Sequence, residues 1–321
     1  MSIDKEYILS KIKEKYIDIG ESKFYKIYEI FDRLCNSFSD TDDSCLIDST
    51  DVWKTSHEVT EILKKLYSNL FRVYVTIPGN NNTYFENLEC KDYKLCYISL
   101  KYWLYDQIII KEIKKTKINE IFTVWDNHIK NKIAHVPENP CVFNKLTLDE
   151  MKRLKNIYAL YTVLYDNNSE FETCNENTCK YLEYFGKGLD DIISSIKSCS
   201  SKVPTDNYCK EFDEFVNICK DESLNSGISM YYESTKSTAD TDGKYLLYSE
   251  KYKDQQIYIY LKDKNMLNYV KTSDLLSNKN STIAATSVVG SAIGLSSIFY
   301  YFYKVRIYNI FKYKYFTIKK Y

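Results

Sequence analysis

The sequence predicts an all-α protein: a cysteine-containing helical ectodomain followed by a single C-terminal transmembrane helix. Three observations carry this expectation. Only eight Gly and four Pro occur in 321 residues, a composition that favours long helices over a turn-rich β architecture. Apolar side chains recur at three- and four-residue spacing through most of the chain. One late stretch, Ile283 to Tyr303, runs for twenty-one residues without a charge. At ~1.5 Å per residue it reaches roughly 30 Å, the thickness of a bilayer's hydrocarbon core. The expected divisions are residues 1–220 as the ectodomain, 221–280 as a polar stalk or linker, 281–303 as the membrane span and 304–321 as a basic cytoplasmic tail.

Tyr7, Ile8, Ile12, Tyr16 and Ile19, then Phe24, Ile27, Tyr28, Phe31 and Leu34, fit two helices broken near Gly20. Ser37 to Cys45 is a polar acidic loop that a Cys35–Cys45 disulfide can close. Its aspartates lack the Gly and terminal Glu of an EF-hand. A helix starting at Ser49 or Thr50 carries Ile62, Leu63, Leu66, Leu70 and Phe71 inward until Pro78-Gly79 stops it. Cys96 to Ile110 is the most apolar helical block before the span, so it is expected to be the central helix, with Trp103 and Leu104 in the core. Ile118 to Ile133 reads as a further helix, ended by Pro137 and Pro140.

Thr147 to Glu150 has the spacing of a capping box, and Leu148, Met151, Leu154, Ile157, Tyr158, Tyr161 and Leu164 make the stripe behind it. Cys174 to Cys199 reads as a helix, as does Tyr208 to Lys220. Gly186-Lys187-Gly188 has no strand before it, which argues against a phosphate-binding loop. Residues 223–244 are polar and lack periodicity, while Tyr245 to Tyr269 fits either strand or helix. Asn81, Asn167 and Asn280 begin formal glycosylation sequons, which an Asn-rich chain produces by chance.

The six basic residues after Tyr303, unaccompanied by any Asp or Glu, place the C-terminus in the cytoplasm by the positive-inside rule. All ten cysteines, Cys35, Cys45, Cys90, Cys96, Cys141, Cys174, Cys179, Cys199, Cys209 and Cys219, precede the span. An even number on one side is the pattern of an oxidised ectodomain, and free buried thiols are the alternative. The N-terminus has no apolar core of a signal peptide. The cysteine spacings match no zinc pattern, and His57, His128 and His135 are not spaced to share a metal, so no cofactor is expected. No motif pairs a nucleophile with a base and an oxyanion site, which argues against an enzyme. Within the span, Gly290 and Gly294 form a GxxxG spacing that offers a weak homodimer through the membrane.

Several blocks in order along the chain resemble the Plasmodium interspersed repeat (PIR) superfamily, in its VIR-like form. They are SKFYKIYEIFDRLC from Ser22, CYISLKYWLYDQIII from Cys96, CNENTCKYLEYFGKGLDDI from Cys174, YCKEFDEFVNICK from Tyr208 and STIAATSVVGSAIG from Ser281. Gly20-Glu21-Ser22 stands where family members often have Leu-Pro-Ser. The resemblance implies a variant surface or exported single-pass membrane protein of the infected red cell, presenting a helical ectodomain for host interaction and immune evasion. Implied partners are membrane lipid and host-cell surface proteins or antibodies, with no nucleic acid. An intracellular membrane-anchored scaffold in red-cell remodelling or trafficking is the alternative function.

Overall fold

The computed structural model describes residues 20, 22–37, 43–45, 54–77, 83–85, 93–166, 182–201, 206–220, 228–236, 245–261 and 286–287. Expectations that fall elsewhere lie outside the described residues. These are the first helix before Gly20, the sequons and loop near Asn81, the segment through Cys174 and Cys179, Cys90, Gly290, Gly294 and the basic tail.

Helix α1, Lys23–Asp32, starts where the Ser22 hydroxyl accepts the Tyr25 N–H at 3.1 Å. It buries Phe24, Tyr25, Ile27, Tyr28, Ile30 and Phe31. Helix α2, His57–Thr76, packs beside it and closes its C-terminal end. Lys65 donates to the Asp32 carbonyl and Asn69 to the Phe31 carbonyl, each at 2.8 Å, and Arg72 donates to the Ile30 carbonyl at 3.4 Å. Three donors at four- and three-residue spacing thus reach the last carbonyls of the helix, Arg72 sharing that of Ile30 with the Arg33 N–H, and two of them carry the charge that the helix dipole favours there. Arg72 is fully buried and also donates to Ser44, next to Cys45, which ties the Cys35–Cys45 loop to the same place.

Helix α3, Tyr93–Ile110, packs on α1, α2 and α5, Leu148–Asp166. It is buried on every side from Leu95 to Ile108, which makes it the central helix. Being enclosed all round, it cannot place Lys101, Asp106 or Gln107 in water, so each needs a partner inside. Asp106, which has no partner near it in sequence, pairs with Lys155 of α5 and accepts the Tyr28 hydroxyl at 2.6 Å. Gln107 donates to Asp32.

Helix α4, Lys115–Val124, is shorter than expected. The chain widens into a π-turn at Trp125–Ile129, then tightens into a 3-10 turn at Lys130–Lys132. Helix α5 does begin with the capping box: the Thr147 N–H donates to Glu150 at 2.6 Å, and the Glu150 N–H to the Thr147 hydroxyl at 3.4 Å. Helix α6, Leu182–Ser198, lies against α5 with Gly188 at the contact. A Cβ at 188 would sit 2.4 Å from Leu160 Cβ and 2.8 Å from the Asn156 carbonyl oxygen, neither of which can swing away. Gly188 therefore serves helix packing. Gly188→Val is expected to destabilise the domain by about 3 kcal/mol by urea denaturation, since overpacking forces the helices apart. Helix α7, Asn207–Cys219, starts where Asp206 accepts the Cys209 N–H at 2.7 Å.

The all-α expectation is corrected by an antiparallel sheet in the order β1-β3-β2-β4. Strands β1, Ile228–Tyr232, β2, Tyr245–Tyr252, and β3, Gln255–Leu261, come from the segment read as a polar stalk. A short helix α8, Glu233–Lys236, follows β1. Ile228 faces Leu261 and Tyr232 faces Ile257 across the β1–β3 pair. A two-residue turn joins β2 to β3, and its Lys253 and Asp254 both have positive φ, the geometry that matches the twist of a hairpin. The sheet forms because Met230, Leu247, Ile257, Ile259 and Leu261 find apolar cover, β1 against α7 and β2 against α6, and join the same core as the helices.

The correction extends to the membrane helix. Thr286–Ser287, the described part of residues 281–303, is strand β4 and pairs with Tyr245 and Leu246 of β2. Among the described residues no helix is long and apolar enough to cross a membrane.

Candidate binding cleft

The π-turn and the proline-containing segment after it shape an open cleft of about 440 Å³. A π-turn inserts one residue per turn and often marks a functional place in a helix. Here it sets Trp125 edge-on to Phe143, with ring centroids 5.4 Å apart. Leu70 and Tyr74 of α2 and Ile133 complete an apolar floor. His135, at φ 60°, reverses the chain and lays its ring edge against Phe71. The Cys141 N–H donates to the Tyr74 hydroxyl at 3.0 Å, and the Tyr97 hydroxyl donates to the Asn139 carbonyl at 2.8 Å, so the far wall is fixed to α2 and α3.

The rim has two parts. Val136 and Val142 are 53% and 46% exposed, and they are two of the four large hydrophobic side chains exposed among the described residues. Asp126 and Lys130 also line the cleft and pair with each other at 2.9 Å. The cleft thus offers apolar surface beside a rim whose opposite charges cancel.

Behind Cys141 lies a buried charged assembly. Lys101 of α3 pairs with Glu211 and with Glu214 of α7, the latter at 2.6 Å. Glu211 also accepts Asn144 Nδ2 at 2.7 Å and the hydroxyls of Tyr158 and Tyr105 at 3.2 and 3.3 Å. Burial works against the Lys101 ammonium, but the two carboxylates outweigh it and hold its pKa above the usual lysine value. Burial, followed by Glu211, pushes the Tyr105 and Tyr158 hydroxyls well up. Burial likewise raises the Cys141 thiol, although Lys101 opposes it, so this thiol is not an activated nucleophile.

A second groove gathers the starts of α4, α5 and α7. Glu150 and Asp206 already occupy amides at two of these helix starts and supply negative charge there, so the groove is not arranged for an anion.

Of the cysteines, Cys35 is joined to Cys45 and Cys199 to Cys209, and Cys96 is disulfide-bonded as well. Cys141 and Cys219 are corrected from disulfide candidates to free, buried thiols, each enclosed by packed side chains. Among the described residues no three His, Cys, Asp or Glu side chains converge to hold a metal. Sequence reasoning missed Lys101, whose signal was charge inside an otherwise apolar helical block, and Lys155 and Glu211, which lie in charge-rich helices and carried no such signal. It also passed over Val136 and Val142, apolar residues flanking the prolines of VPENPCV. Compared with known protein families, characterised proteins and solved structures, the chain matches none.

Proposed function

We propose that the chain is a VIR-like protein displayed on, or exported into, the infected red cell, and that it binds a host-cell surface protein through the cleft beside Trp125. The disulfides carry this reading, because Cys35–Cys45 and Cys199–Cys209 suit an oxidising compartment where a domain meets outside partners. The ordered sequence blocks supply the family. The cleft supplies the surface: Val136 and Val142 are exposed apolar residues over a rigid aromatic floor. Because Asp126 neutralises Lys130, the rim suits an uncharged apolar side chain of the partner better than a charged one.

Val136→Asp combined with Val142→Asp tests the reading. Both residues are half-exposed, so the melting temperature should stay within the range of ordinary surface changes. Binding of the purified protein to host red-cell surface proteins should fall at least about 30-fold, the loss that corresponds to a hot spot of ~2 kcal/mol. Undiminished binding by a folded double variant would remove the cleft from the function.

A further inference from the structure

We propose that the assembly of Lys101, Glu211 and Glu214 is an acid-set latch: protonation of Glu214 tightens α7 against α3, α5 and the 141–144 segment, so the domain becomes firmer as its surroundings turn mildly acidic. The geometry is an imbalance of charge. One ammonium serves two carboxylates, one enclosed and one at the edge of the site, so with both ionised the assembly carries a net negative charge.

The two carboxylates are not equivalent. Glu211 is fully buried and accepts from Lys101, Tyr105, Tyr158 and Asn144. Glu214 is 38% exposed and accepts from Lys101. The titratable groups around it are Lys101 and Tyr105 from α3, Tyr158 from α5, Cys141 from the segment before α5, and Glu211 from its own helix. Burial first, and then the neighbouring Glu211 charge, raises the Glu214 pKa, while Lys101 opposes the rise. A carboxyl group raised on folding binds its proton more tightly in the folded chain. Its contribution to stability is therefore full below its unfolded value and is lost as pH rises through its folded value. Lys101, held above its ordinary value, stays charged throughout this window. Asp191 of α6 is also raised, chiefly by burial, and acts in the same direction at a separate place.

The test compares the full chain with Glu214→Gln. Melting temperature is followed from about pH 8 to about pH 5, and amide exchange of α7 is compared at the two ends after correction for intrinsic rates. In the wild type, the melting temperature should rise on acidification and α7 amides should gain protection. In Glu214→Gln the rise should shrink by the Glu214 share, while Asp191→Asn retains that share. An unchanged slope in Glu214→Gln would overturn the latch. Equal α7 protection at both ends in the wild type would overturn it independently of how any variant folds.

Discussion

Replacing Lys101 with Met should destabilise the domain by about 3–5 kcal/mol, because it leaves the Glu211 carboxyl group without its cationic partner in a closed site. The side chains of Lys101 and Glu211 are 5% and 0% exposed, so water cannot take over the lost contact. Three neutral donors, Tyr105, Tyr158 and Asn144, remain around Glu211 and soften the loss without cancelling the charge. Adding Glu211→Leu should recover part of the stability and no more, since those donors then lose their acceptor. Urea denaturation of the two single variants and the double variant gives the coupling energy. A Lys101→Met protein with wild-type stability would mean that the pair is hydrated in solution.

Trp103→Ala should cost about 3–5 kcal/mol, an effect of similar size from a different cause. Trp103 is fully buried in the central helix, and its ring is the largest fully enclosed side chain among the described residues. Its Nε1 donates to Asp32 at 3.4 Å, but the Asp32 side chain is half exposed and can turn to water. The loss is therefore chiefly a cavity. Trp103→Phe, which fills more of the space, should cost clearly less than Trp103→Ala. If Trp103→Ala melted like the wild type, the packing of α3 described above would be wrong.

The legible part of this fold was the part governed by apolar periodicity. Core positions of α1, α2 and α5 could be read from three- and four-residue spacing, although Leu34, read into the first stripe, is exposed beyond the end of α1; α7 was legible as a helix, and Thr147 with Glu150 marked a helix start. Periodicity failed where tertiary packing set the outcome. Strand β1 was hidden in polar sequence, and β2 and β3 stayed undecided between strand and helix because QQIYIYL is short, so its alternation needed the cover of the helices to count as structure. The π-turn at Trp125 was hidden as well, because one inserted residue leaves the apolar rhythm of Ile121, Phe122, Trp125 and Ile129 almost unchanged. The uncharged run from Ile283 gave a clear length signal, but Thr286 and Ser287 complete a strand pair with β2.

The charged assembly shows a further limit. Lys101 lies 113 residues from Glu214, and Asp106 lies 49 from Lys155, so no local pattern joins them. What the sequence does contain is the anomaly of Lys and Asp inside CYISLKYWLYDQIII. A charge in such a block demands a partner, since burying it alone costs far more than a domain can spare. The partner's identity comes with the fold.

The central claim is that this domain is stapled by disulfides and works where they persist. Each closure spans a sequence separation of 10, which corresponds to about 3 kcal/mol at most from restricting the unfolded chain. The direct measurement is peptide mapping by mass spectrometry on protein taken from the cells that naturally make it, denatured and alkylated without reduction. The account predicts linked peptides for Cys35–Cys45 and Cys199–Cys209, with Cys141 and Cys219 alkylated. Alkylation at Cys35, Cys45, Cys199 and Cys209 without prior reduction would contradict it, and would place the domain in a reducing compartment.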